Sequence, residues 1–160
     1  MVQLLFRLQN ILKTGEITAV DISKKALNIA KTNAKNNEVQ DQITFIESDL
    51  FNNLNKEKYD IIVSNPPYIK RKTIKTLDKE VQREPIIALD GGDDGLDFYK
   101  KIINKGYEFL KYNGYLCLEI GYNQKEEVMN LIEKEEKYIN TYCKKDLCGN
   151  DRIIITKVGD

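Results

Sequence analysis

The chain has 160 residues, which suits one domain, and its 41% hydrophobic residues are enough for a buried core. Its 25 basic and 25 acidic residues cancel, so the global charge points neither to a protein that wraps nucleic acid nor to one that lies on a membrane surface; only a local patch could contact nucleic acid. The chain has no histidine, which excludes a His-based triad and argues against a zinc site built on Cys117, Cys143 and Cys148.

Met1–Leu12 is apolar with Arg7 inside it, but it lacks the small-residue cleavage site of a signal peptide. No apolar run approaches membrane-spanning length. The three cysteines therefore read as reduced thiols, and the cytoplasm is the expected compartment. Residues 16–21 (EITAVD) form a short β-branched run that ends in an acid. Ser23 then stands as a helix N-cap before Ala26, Leu27, Ala30 and Ala34 at helical spacing. Residues 43–46 (ITFI) predict a second strand, and 59–64 (YDIIVS) a third, whose near-continuous apolar character suggests burial on both faces. Asp93 or Asp94 is placed to cap a helix carrying Leu96, Tyr99, Ile102, Ile103 and Phe109. A strand at 115–120 (YLCLEI) follows, then a charged amphipathic helix over 124–136 with Val128, Leu131 and Ile132 facing inward. Residues 139–143 and 152–157 complete the pattern as strands.

Strands alternating with helices predict an α/β fold with a mostly parallel sheet and helices on both faces. The whole chain, 1–160, is expected to be one catalytic domain, with 1–14 anomalous. In such sheets ligands bind beyond the carboxyl ends of the strands, which selects Asp21, Asp49, Asn65–Tyr68 and Glu119–Gly121. Asn65-Pro66-Pro67-Tyr68 is the strongest chemical signal. Two prolines fix φ and remove two donors, so the turn is stiff and its carbonyls are free to accept. Asn65, preceding a proline, is pushed into an extended conformation. A planar –NH2 group suits this arrangement: the Asn65 side-chain oxygen takes one N–H, the Pro66 carbonyl takes the other, and the Tyr68 ring covers the flat face. The alternative is a plain Pro-Pro turn.

Other segments have blander readings. Residues 69–79 (IKRKTIKTLDK) are locally basic and would be a solvated loop or a contact for an acidic protein or a nucleic-acid backbone. Residues 90–97 (DGGDDGLD) lack calcium-loop spacing and read as a glycine turn plus a helix cap, and no metal is expected. Glu119 is open between a structural carboxylate and a ligand contact.

Asn-Pro-Pro-Tyr after a buried strand resembles the amino-methyltransferases, which include DNA adenine and protein glutamine methyltransferases. Further stretches at 16–23 (EITAVDIS), 48–51 (SDLF), 84–103 (EPIIALDGGDDGLDFYKKII), 114–124 (GYLCLEIGYNQ) and 148–157 (CGNDRIIITK) are similar to the release factor glutamine methyltransferase family, HemK. The resemblance implies a Rossmann-like class I methyltransferase fold and S-adenosylmethionine as cofactor. It implies that Asp21 hydrogen-bonds the cofactor ribose, that Asp49 and Leu50 lie beside its adenine, and that Asn65 stands next to both cofactor and substrate. Asn65, Pro66, Pro67 and Tyr68 would bind the substrate amide, with Asn65, Pro66 and Tyr68 as the catalytic set. A helix N-cap remains the alternative for Asp21, and an ordinary loop acid for Asp49. The implied reaction is methylation of a glutamine side-chain nitrogen in a protein, with a peptide chain release factor as the implied partner. Adenine N6-methylation of nucleic acid, supported by the basic loop alone, is the second reading, and an inactive fragment the third.

The family carries a glycine-rich strand, loop and helix ahead of the EITAVD segment, whereas this chain has no glycine before Gly15. The first strand and the cradle for the methionine end of the cofactor are therefore expected to be missing, together with a helical N-terminal domain. Weak or absent cofactor binding, little methyltransferase activity of the chain as it stands, and exposed sheet edges are the expected consequences. Degenerate codons for Met1–Leu12, read from the third base of the Met codon, permit Gly-Ala-Ile-Thr-Ile-Ser-Leu-Ala-Lys-Tyr-Leu, which resembles the lost segment. A shifted reading frame that resumes near Lys13 is the expectation from that match.

Overall fold

The structure, a computed structural model, describes residues 15–159, so the readings made on residues 1–14 lie outside the described residues. Two compact units divide the chain, residues 1–55 and 56–160.

In the first unit β-branched residues set strand β1 (Ile17–Asp21). Ser23 has extended backbone (φ −94°, ψ 109°) and starts helix α1 (Lys24–Asn36), its Oγ accepting the Ala26 N–H at 3.2 Å. Leu27, Ala30 and Ala34 bury one stripe of the helix. Strand β2 (Ile43–Glu47) then runs parallel to β1, with Asp21 opposite Glu47. Ala19, Ala34, Val39 and Ile43 form the core, with Ile17 and Phe45 packed against it.

The second unit contains β3 (Tyr59–Ser64), α2 (Asp97–Gly106), β4 (Leu110–Glu119), α3 (Lys125–Glu133), β5 (Tyr138–Lys145) and β6 (Asp151–Val158). Its four strands are ordered β3-β4-β6-β5. The first pair is parallel and the other two are antiparallel. The mostly parallel expectation thus holds for β1–β2 and β3–β4 only. The short connection from β5 to β6 cannot make a crossover, so those strands pair as a hairpin. Asp146 organises that connection by accepting the N–H groups of Cys148 and Asn150 and the Arg152 guanidinium. The backbone N–H of Asn150 is the first cause holding its carboxyl below the usual carboxylate range.

Period-two burial hides Leu116, Leu118 and Ile154 on β4 and β6, as helical spacing hides Tyr99, Ile102 and Ile103 on α2 and Val128 and Ile132 on α3; each is 2% exposed or less. The buried Thr156 hydroxyl is satisfied by Thr141 Oγ1 at 2.8 Å and by the Ile139 carbonyl at 3.2 Å. Ile132→Ala should lower unfolding stability by about 2–5 kcal/mol, because this side chain has no exposed surface and its removal leaves a cavity. Urea unfolding measures the loss, and a change below about 1 kcal/mol would contradict this packing.

Two further expectations differ from the structure. Strand β3 was expected to be buried on both faces, yet β4 is its only strand partner among the described residues and Ile61 is 46% exposed. Neither Asp93 nor Asp94 caps α2, since the helix starts at Asp97 with no side-chain cap. Asp94 instead accepts the Leu96 N–H at 2.9 Å and pairs with Lys100 Nζ at 2.6 Å. The Lys100 ammonium, followed by the Leu96 N–H, holds the Asp94 carboxyl below its ordinary range. Phe109 falls in a tighter turn (Tyr107–Phe109) beyond the helix end. No helix among the described residues is long and apolar enough to cross a membrane.

Candidate active site

In the second unit, β3 delivers the chain to Asn65, which is exposed, while Pro66 is buried and Pro67 and Tyr68 are half-buried. The pairing of Ser64 with Leu118 fixes where the turn begins. Beyond the turn, the Ile69 N–H donates to the Leu89 carbonyl at 3.0 Å and the Gly91 N–H donates back to Ile69 at 2.9 Å. The Arg71 N–H donates to Gly92 at 2.9 Å, and its guanidinium pairs with Asp90 at 2.9 Å. That guanidinium is the first cause holding the Asp90 carboxyl below its ordinary range, the Gly92 N–H the second. The basic segment is thus tied back to the DGGDDG loop through Arg71, while Lys70, Lys72 and Lys75 stay exposed.

The glycines of that loop are explained by close approach rather than by turn formation alone. A Cβ on Gly91 would lie 2.8 Å from Tyr68 Cα and 2.9 Å from the Pro67 oxygen. Gly95, at φ +78°, would place one 2.6 Å from the Tyr68 oxygen. The loop backbone therefore packs directly against the Pro67–Tyr68 backbone. Neither the Asn65 side-chain amide nor the Pro66 carbonyl has a hydrogen-bond partner among the described residues, so both acceptors are free.

The Tyr68 phenol sits near Glu119 and Arg152. Burial pushes its pKa up and the Glu119 charge adds to this, while Arg152 opposes; it is a neutral phenol at ordinary pH. The Tyr99 hydroxyl donates to the Glu119 carbonyl at 2.8 Å, and Arg152 Nη1 to the Ile120 carbonyl at 3.2 Å. The carboxyl end of β4 is therefore held by two side chains from elsewhere in the unit. The sequence reading singled out neither Tyr99 nor Arg152 as a site-supporting residue, and it also passed over Gln124. Gln124 stood within the GYNQ stretch, but its partners are remote in sequence.

In the first unit, Asp21 closes β1 and Asp49 lies two residues beyond β2, so both acids stand at the carboxyl ends of paired parallel strands. The Ser48 N–H donates to the Asp21 carbonyl at 3.1 Å. Asp21 Oδ1 accepts the Ser23 N–H at 2.8 Å, and Oδ2 has no hydrogen-bond partner among the described residues. Buried Ser48 accepts the Asn53 N–H on its Oγ at 2.9 Å and so shapes the loop that carries exposed Asp49. Leu50 has φ 51°, a left-handed conformation that costs a non-glycine residue on the order of 1 kcal/mol. Two carboxylate acceptors at the neighbouring ends of β1 and β2 match the donors of a nucleoside, a ribose diol and an exocyclic amine, so these residues fit the cofactor that the resemblance implies.

The sequence profile of the methyltransferase small domain matches residues 5–84, half of the 160-residue chain. A release factor glutamine methyltransferase from Fusobacterium nucleatum is 45% identical over 150 residues, covering 92% of this chain and 42% of that protein. A ribosomal protein uL3 glutamine methyltransferase from Francisella tularensis is 44% identical over 115 residues, covering 72% of this chain and 37% of that protein. The chain thus spans less than half the length of these two relatives. The crystal structure of a ribosomal protein L11 methylase from Lactobacillus delbrueckii subsp. bulgaricus superimposes with a TM-score of 0.67 at 16% identity, covering 99% of this chain and 66% of that one, which establishes a Rossmann-like methyltransferase fold. With the profile over half its residues, the chain belongs to the methyltransferase small domain family, and it is similar to members of the release factor glutamine methyltransferase (HemK) group.

Proposed function

We propose that this chain carries the methyl-transfer core of an enzyme that methylates the side-chain nitrogen of a glutamine in a protein. The observation that carries the reading is the Asn65–Tyr68 turn, which is clamped on both sides while the Asn65 and Pro66 acceptors have no hydrogen-bond partner among the described residues. The two –NH2 hydrogens of a primary amide meet these two acceptors, and Tyr68 covers the amide plane. An amide nitrogen is a poor nucleophile because its lone pair is delocalised into the carbonyl. Accepting both N–H groups holds that nitrogen in one orientation and keeps electron density on it, so the residues act through positioning and electrostatics. S-adenosylmethionine, when bound, supplies a methyl group on a sulfonium. The nitrogen would form a bond to the methyl carbon as the S–CH3 bond breaks, leaving a neutral thioether, and would lose one proton to solvent water, so no side-chain nucleophile is needed.

Asp21 accepts from the ribose hydroxyls, Asp49 accepts from the adenine amine, and Leu50 lines the adenine. The named activities of the relatives favour a protein substrate, a release factor first and a ribosomal protein second. Methylation assays with a release factor, ribosomal protein uL3, and adenine-containing DNA and RNA separate the substrate classes, and label on nucleic acid alone would overturn the reading. Asp21→Ala should weaken S-adenosylmethionine binding about 10- to 100-fold, the worth of a charge-assisted hydrogen-bond pair of about 1.5–3 kcal/mol. Calorimetry measures this, and unchanged affinity would remove Asp21 from the cofactor site.

A further inference from the structure

One buried polar side chain ties the amide-binding turn to the rest of its unit. Gln124 is 5% exposed and stands at the N-cap of α3. Its Oε1 accepts the Gly121 N–H at 3.0 Å, and its Nε2 donates to the Tyr68 carbonyl at 3.1 Å and to the Gly95 carbonyl at 3.2 Å. Three segments thus converge on one amide: the Asn-Pro-Pro-Tyr turn, the glycine loop and the strand end after β4. The glycines make room for it, since a Cβ on Gly95 would lie 2.9 Å from Nε2 and one on Gly121 would lie 2.8 Å from Oε1.

We propose that Gln124 is the positioning residue of the Asn65–Tyr68 turn, an inference that rests on reading the turn as the amide-binding element. The proline rings lock φ at residues 66 and 67, so few soft torsions separate Ser64 from the Tyr68 carbonyl. Pairing with β4 fixes the first end and Gln124 fixes the second. With both ends held, the Asn65 and Pro66 acceptors keep one separation and direction. A glutamine does this where an acid could not, because two carbonyl acceptors need two donors on one atom while Gly121 needs an acceptor on the other. Gln124 touches neither the substrate nor the cofactor in this account, and it acts through the Tyr68 carbonyl.

The test uses Gln124→Met, which keeps the side-chain length and removes all three bonds, with Val128→Ala one turn along the same helix as a destabilising control. Amide hydrogen exchange on the chain should show Ile69, Arg71 and Gly91 exchanging at least about 10-fold faster in Gln124→Met, with Leu118 and Ile154 unchanged. Val128→Ala should leave the first three protected. Gln124→Glu retains the acceptor for Gly121 and loses both donors, so it should loosen Ile69 and Gly91 while Gly121 stays protected. In methyl transfer, Gln124→Met should lower kcat about 10- to 100-fold, with KM for S-adenosylmethionine within 2-fold, as expected for misplaced acceptors. Retained protection at Ile69, Arg71 and Gly91 would overturn the proposal, as would loosening with an unchanged kcat. Normal turnover of Asn65→Ala in the same assay would instead overturn the amide-binding reading, while the exchange result would still decide whether Gln124 clamps the turn.

Discussion

In an active enzyme that contains this chain, replacing Asn65 by alanine should lower methyl transfer to a glutamine side chain by about 10²- to 10³-fold while leaving S-adenosylmethionine affinity within a few-fold. The side chain is exposed and has no internal hydrogen bond among the described residues, so its removal breaks nothing in the fold. What disappears is one of two acceptors for the substrate –NH2. In a desolvated, pre-organised site such a bond contributes roughly 2–4 kcal/mol to the transition state, which gives that range of rates. Steady-state kinetics with a saturating protein substrate, alongside cofactor titration, measures both halves. Normal turnover would show that the nitrogen is held by something other than this turn.

Gly91→Ala should damage both stability and turnover. The added Cβ would meet three backbone atoms, Tyr68 Cα at 2.8 Å and the Pro67 oxygen and Tyr68 carbonyl carbon at 2.9 Å. No flexible side chain is available to give way, so either the glycine loop or the proline turn must shift. Overpacking of this kind costs about 1–3 kcal/mol, and a displacement near 1 Å at a positioning element lowers rates on the order of 10²-fold. Gly149→Ala is the control. It has no atom within 4 Å of the added carbon and carries only the strain of φ +86°, so it should lose on the order of 1 kcal/mol and keep its turnover. Urea unfolding and kinetics on the two variants decide the matter, and a Gly91→Ala protein with wild-type stability and rate would contradict the close approach.

Local signals were legible where the deciding contacts are close in sequence. Ser23 begins α1 and the Leu27, Ala30, Ala34 stripe is buried, because capping and helical periodicity act within a few residues. Asn65–Tyr68 was legible as a rigid acceptor turn because proline geometry is intrinsic. Asp94 was misread as a cap because an acid before a helix serves equally well in a turn of its own, and here it closes onto Leu96 and Lys100. The burial of β3 was overestimated because an apolar run reports affinity for a core, not how many neighbours the strand has. Gln124 was invisible as a site residue because its carbonyl partners lie 56 and 29 positions away. Gly91 and Gly95 looked like turn formers for the same reason, since only the folded chain brings Tyr68 against them.

The most direct test of the central claim is mass spectrometry of a release factor incubated with an active enzyme that contains this chain and with S-adenosylmethionine carrying an isotopically labelled methyl group. One labelled methyl is expected on the side-chain nitrogen of a glutamine, reduced about 10²- to 10³-fold in rate with Asn65→Ala. A labelled methyl on any other atom of the protein, or on adenine in nucleic acid with the release factor left unmodified, would contradict it.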